Sequence, residues 1–148
     1  MQSRIHINLS VSDLKSSIEF YQKLFRQPAS KIKSDYANFR LDEPALHLAL
    51  IHQLEQKLDT DKKQQNRIHY GVELFSNEKL QQWQQQVEQQ GLVTKIQKAV
   101  ACCYATGNKF WVQDPDGHDW EFWVKLDEAQ QLHESDAEKN QSTSATCC

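Results

Sequence analysis

Two stretches of strict two-residue alternation mark out the chain. In 4–11, Ile5, Ile7, Leu9 and Val11 alternate with Arg4, His6, Asn8 and Ser10. In 67–74, Ile68, Tyr70, Val72 and Leu74 alternate with His69, Gly71 and Glu73. A period of two is the pattern of a half-buried strand. Each stretch therefore predicts a strand with one apolar face and one polar face, and each polar face carries a histidine. A helical period follows both. Leu14, Ile18, Tyr21 and Phe25 predict a helix with Ser12 as its N-cap that stops before Pro28. Leu80, Trp83 and Val87 predict a second over 77–90, capped by Ser76 and closed by Gly91.

Short strands follow each helix. The first half predicts 36–41 and 45–51, joined by a turn at Asp42-Glu43-Pro44. The second predicts a strand near 92–97, then a hairpin of 110–113 and 119–125 around Asp114-Pro115-Asp116-Gly117. Residues 99–108 contain Cys102-Cys103 and, with Gly107-Asn108, read as a mobile loop. The polar, aperiodic 54–66 reads as a linker. Residues 126–137 read as a short helix, and the polar stretch 128–148 as a C-terminal tail, largely disordered. The halves match: each is a βαβββ module, about 4–52 and 67–126. The fold class expected is α+β, one domain over 1–127. Its two tandem modules pair into a curved, partly open sheet with a central metal cavity.

Composition narrows the function. The chain has 148 residues, 39% hydrophobic and 25% charged, enough for one packed domain. A net charge of −3 leaves no basic excess for phosphates, so no nucleic-acid partner is expected. The apolar runs are too short for a membrane span, and no signal-like apolar block opens the chain, so a cytoplasmic protein is expected. The four cysteines form two adjacent pairs, Cys102-Cys103 and Cys147-Cys148. Neighbouring cysteines close only a strained ring, so both pairs are expected as free thiols, soft ligands in a reducing compartment.

His6 and His69 hold matching positions in the two modules. Glu121 lies between Trp120 and Phe122, on the face opposite Trp120, Phe122 and Val124. A carboxylate among large apolar residues is costly to bury unless paired or bound to a cation. Two imidazoles and one carboxylate facing one cavity would bind a divalent metal on one side and leave three positions open. That is the facial arrangement of non-haem Fe(II) oxygenases, which zinc or nickel could also occupy. A single strand histidine is more often structural or exposed; the repetition and the matching acid are what set these apart. His47 reads as the first-module counterpart of Glu121, either a further ligand or a hydrogen-bonding neighbour of one. His118 reads as surface or rim, and His52 and His133 as solvated. Trp111, Trp120, Phe122 and Trp123 read as core, some of them lining an apolar pocket. The ordinary reading of Cys102-Cys103 is a pair of small, buried, inert residues.

The two modules, the early histidine in each and the run Asp114-Pro115-Asp116-Gly117-His118-Asp119-Trp120-Glu121 resemble the vicinal oxygen chelate superfamily over about 4–126. Glyoxalase I, extradiol dioxygenases and the fosfomycin and bleomycin resistance proteins belong to it. Ala101-Cys102-Cys103-Tyr104-Ala105, Ile5-His6-Ile7-Asn8-Leu9 and Lys109-Phe110-Trp111 are more specific. They resemble the organoarsenical carbon–arsenic lyases, which include cadmium-induced proteins. That resemblance implies Fe(II)- and O2-dependent cleavage of the C–As bond in a small trivalent organoarsenical. Its iron ligands would be His6, His69 and Glu121, and its substrate thiols Cys102 and Cys103. Tyr104 is a candidate donor facing the substrate, and Cys147-Cys148 a cysteine-bearing tail. The acid that glyoxalase I places on the fourth strand has only His47 and Ala49 near it here, which favours a three-ligand site. A monomer and a homodimer both fit. Two other readings stay open: a thiol-based arsenic or cadmium binder without turnover, and a glyoxalase-like metalloenzyme with His47 as fourth ligand.

Overall fold

The computed structural model describes residues 3–53, 69–102 and 105–128. The elements are β1 (Ile5–Val11), α1 (Leu14–Phe25), β2 (Lys31–Ile32), β3 (Tyr36–Leu41), β4 (Leu46–His52), β5 (His69–Glu73), α2 (Asn77–Gln89), β6 (Lys95–Cys102), β7 (Ala105–Gln113) and β8 (Asp119–Glu128). They form two modules of the same topology. The first sheet runs β1-β4-β3-β2 and the second β5-β8-β7-β6. In each, the first strand pairs in parallel with the last and stands at the sheet edge. The two sheets remain separate and do not close on each other.

Alternation sets the faces as the sequence predicts. Leu9, Val11, Phe39, Leu48 and Leu50 of the first sheet and Val72, Phe110, Trp120, Phe122 and Val124 of the second join one core cluster with both helices. α1 starts one residue later than Ser12 suggests. Asp13 is the N-cap, its carboxylate accepting from the Ser16 amide at 3.0 Å. Arg26 ends the helix in the left-handed region. Ser76 caps α2, and Gly91 has φ +81, as expected.

The modules are joined through α1. Its Leu24 carbonyl accepts from Trp83 Nε1 of α2 at 3.0 Å, and the Arg26 guanidinium lies 4.9 Å over the Trp83 ring. Phe25 meets Trp120 edge to face at 5.3 Å. Tyr21 donates to Asp114 Oδ2 at 2.7 Å and accepts from Trp120 Nε1 at 3.1 Å. Asp114 opens the β7–β8 turn, where Gly117 has φ +90. His118, expected at the surface or rim, is partly buried, with Nδ1 2.9 Å from Asp114 Oδ2. His52 likewise closes β4, its Nε2 3.2 Å from the Ser12 carbonyl.

Two further expectations change. Residues 105–108 are not a loop: β7 begins at Ala105, and Gly107 sits inside it. A Cβ at Gly107 would meet the Val124 carbonyl at 2.7 Å, so the close strand approach requires glycine. Residues 126–128 continue β8 as strand rather than starting a helix, because Asp127 and Glu128 pair with Thr106 and Ala105. The linker, most of the predicted tail helix, His133 and Cys147-Cys148 lie outside the described residues. Among the described residues, no helix is long and apolar enough to cross a membrane.

Candidate metal centre

β5 and β8 place His69 and Glu121 on the face turned away from the core. Gly71 is the parallel partner of Glu121, so His69 stands two positions before it on the edge strand. His69 Nε2 lies 3.3 Å from Glu121 Oε2. The other carboxylate oxygen, Oε1, accepts from Lys109 Nζ of β7 at 2.8 Å. Glu121 is 9% exposed and Lys109 6%. Trp111, the β7 partner of Glu121, stands between the two basic groups. Its ring meets the His69 ring edge to face at 5.1 Å, and Lys109 Nζ lies 5.4 Å from its centre. Trp111 Nε1 donates to Gln97 Oε1 at 2.9 Å, which fixes the indole.

The first sheet carries a second pair. His6 and His47 are register partners on β1 and β4, with their Nδ1 atoms 3.1 Å apart. One ring donates and the other accepts. Burial lowers the His47 pKa below its ordinary value, and the neighbouring His6, Arg40 and Arg4 lower it further. Behind it, the buried Asn38 donates to Tyr36 Oη at 3.1 Å, while its Oδ1 finds no partner among the described residues.

The register corrects one expectation. His6 and His69 both stand seven residues before a helix N-cap, Asp13 and Ser76. With those two matched, the counterpart of Glu121 is Ala49, the partner of Asn8, and the counterpart of His47 is Asp119. His47 is therefore an additional imidazole rather than a replacement for the acid.

Two donors that bind one divalent ion side by side at about 2.1 Å stand roughly 3 Å apart. His69 with Glu121 meets that spacing, and so does His6 with His47. The donors are imidazole nitrogen and carboxylate oxygen, suited to Fe(II), zinc or nickel. Each sheet thus offers a two-donor half-site that fits a metal. His6 makes no contact with His69 or Glu121, and no group of three such ligands gathers among the described residues.

Cys102 ends β6 opposite Ala105, in the sheet that holds His69 and Glu121. Its side chain, and Cys103 and Tyr104 entirely, lie outside the described residues. Ala105 is six residues along β7 from Trp111, about 20 Å at the rise of a strand. The ladder is interrupted on both sides of this hairpin, between Gln97 and Val100 and between Thr106 and Gly107, and Ala99 has φ +49.

The sequence reading missed Lys109 as a partner of Glu121. Its only local signal is a lysine on the same strand face as Trp111, two residues away.

Residues 4–122 match the glyoxalase/bleomycin resistance protein/dioxygenase superfamily. A Bacillus subtilis protein named a probable trivalent organoarsenical cleaving enzyme is 32% identical over 97% of this chain and 89% of its own. A Thermomonospora curvata trivalent organoarsenical cleaving enzyme is 36% identical over 90% and 85%. The cadmium-induced protein CadI of Mycobacterium bovis is 35% identical over 84% and 77%. A crystal structure of a glyoxalase/bleomycin resistance protein/dioxygenase from Alicyclobacillus acidocaldarius aligns with TM-score 0.64 at 15% identity, covering 84% of this chain and 92% of that one. The chain therefore belongs to the glyoxalase/bleomycin resistance protein/dioxygenase superfamily.

Proposed function

We propose that the protein, using Fe(II) and O2, cleaves the C–As bond of trivalent organoarsenicals, releasing arsenite while the carbon is oxidised; for methylarsenite, CH3As(OH)2 + O2 gives As(OH)3 + HCHO. One observation carries the reading. In a chain about a third identical to enzymes named for this cleavage, His69 Nε2 and Glu121 Oε2 stand at metal-ligand spacing on the open face of the second sheet. A bound Fe(II) would supply open coordination positions and the electrons that start the reduction of O2. The chain supplies the rest. Trivalent arsenic with one carbon substituent has two valences left, and the adjacent thiols of Cys102 and Cys103 satisfy both. Each thiol proton leaves with an arsenical hydroxyl as water. Soft sulfur selects soft arsenic over the imidazoles and carboxylates nearby. Two attachments also orient the carbon substituent, which favours one reaction geometry.

Purified protein loaded with Fe(II) should release arsenite from methylarsenite in air and none without oxygen. Stoichiometric arsenic binding with no arsenite formed would instead select a thiol-based binder. Arsenite formed equally well without oxygen would select an oxygen-independent, glyoxalase-like metalloenzyme.

His6 completes this site from a second copy of the chain. It shares no contact with His69 or Glu121, and both strands that bear these histidines, β1 and β5, are open sheet edges. Beside His6, Ile5 is 71% exposed. In a two-fold dimer, the first module of one chain would face the second module of the other, twice over. The His6→Ala and His69→Ala variants should then each be inactive, while their equimolar mixture recovers about a quarter of wild-type turnover, one intact site in half of the dimers. A mixture as inactive as its components refutes the shared site.

A further inference from the structure

The geometry points to Lys109 as a positioning residue of the metal centre, one that holds Glu121 by a single carboxylate oxygen so that the other faces His69. The inference rests on the reading that His69 and Glu121 bind a divalent ion.

A lysine is an improbable choice for its position. Lys109 stands in the middle of β7, with β6 on one side and β8 on the other, and is almost fully buried. A buried ammonium is costly unless a charged group compensates it. A leucine or methionine would fill the volume beside Trp111 without that cost. What the ammonium adds is a charge-assisted hydrogen bond of 2.8 Å to Glu121 Oε1. Oε2 is left 3.3 Å from His69 Nε2. The two oxygens of one carboxylate are thus divided between two tasks: Oε1 is anchored and Oε2 is presented.

The anchor is itself rigid. Trp111 packs near both Lys109 and His69, and its indole is tied to Gln97. Gly71 has no side chain to press on the carboxylate, where a Cβ would stand in van der Waals contact with Oε2 at 3.8 Å. Of the two basic groups beside the carboxylate, Lys109 makes the shorter contact, and through Oε1 it fixes the rotation that turns Oε2 to His69. A ligand that arrives already oriented loses less freedom on binding metal, and outer partners of this type are commonly worth 10- to 100-fold in affinity. The charge acts in the other direction, because an ammonium repels a divalent ion. The inference is that orientation outweighs repulsion.

The test is anaerobic Co(II) titration of the full chain, read by visible absorbance and by equilibrium dialysis, alongside the melting temperature. Lys109→Met should weaken Co(II) binding by about 10- to 100-fold and alter the absorbance band, and Lys109→Arg should restore most of the affinity. Should the methionine variant fail to fold, Lys109→Gln replaces it, with the same weakening expected. Unchanged or tighter Co(II) binding in a folded variant overturns the positioning role, even if the variant melts earlier. Glu121→Ala separates the two levels. If it abolishes Co(II) binding while the lysine variants bind normally, only the role of Lys109 falls. If it leaves Co(II) binding intact, the metal reading falls and the role of Lys109 with it.

Discussion

Asp114→Ala is expected to lower the melting temperature by about 10 °C or more, the largest loss of stability from any single polar change at the module junction. The Asp114 side chain is completely buried. Its two oxygens accept from the Tyr21 hydroxyl, from His118 Nδ1 and from the backbone amides of Asp116 and His118, at 2.7 to 3.0 Å. Alanine removes all four acceptor contacts. A buried donor left unsatisfied costs about 1–3 kcal/mol, and partial relaxation leaves a total of roughly 3–5 kcal/mol. The damage reaches the first module, because Tyr21 belongs to α1 and also receives the Trp120 indole bond. Thermal unfolding followed by circular dichroism measures this; a shift of only a degree or two would show that the network contributes little.

The same carboxylate gives the stability a pH dependence. Burial pushes Asp114 up, but the hydrogen bonds from His118 and Tyr21 outweigh it and leave its pKa below the ordinary 3.8. The Asp114 hydrogen bond raises His118 above 6.5 against the opposing effect of burial. The Asp114 contribution is present above pH 3.8 and is lost as pH falls through its depressed value. The His118 contribution is complete below pH 6.5 and is lost as pH rises through its elevated value. Stability from this pair is therefore greatest between the two ordinary values, and Asp114→Ala should flatten both flanks.

Glu121→Gln is expected to cost metal affinity by at least about 100-fold, since changes to outer partners alone cost 10- to 100-fold, with arsenite release falling in parallel. The amide keeps the shape of the carboxylate, and its oxygen still accepts from Lys109. The fold should survive with a loss of about 1–3 kcal/mol, because a buried ammonium exchanges a charged acceptor for a neutral one. Iron content after anaerobic loading, read against the melting temperature, separates the two effects. Wild-type iron content in the glutamine variant would remove Glu121 from the metal centre.

These two carboxylates show how unevenly a sequence displays its chemistry. Glu121 was legible because alternation put it opposite Trp120, Phe122 and Val124, where an acid is conspicuous. Asp114 was visible only as the start of a turn; its partner Tyr21 is 93 positions away. His118 looked like a rim residue for the same reason, since the aspartate that holds it is buried only after the modules meet. Asp13 took the capping role from its neighbour Ser12 by hydrogen-bonding the Ser16 amide, a choice between adjacent polar residues that spacing does not decide.

What the chain determined by itself is local. Alternation assigned the strand faces, helical spacing placed both helices, the Asp-Pro-Asp-Gly run set the hairpin, and repetition of these patterns revealed two modules with a histidine early in each. The tertiary structure decided what lies across the sheets. Parallel pairing aligned Glu121 with Gly71 and Asn8 with Ala49, antiparallel pairing brought Lys109 beneath the carboxylate, and packing through α1 kept the imidazole pair of one sheet out of reach of the acid in the other. Periodicity follows from the backbone of each segment alone. Register and module packing follow from which side chains fill the space between segments, and that is settled only when the whole core forms at once.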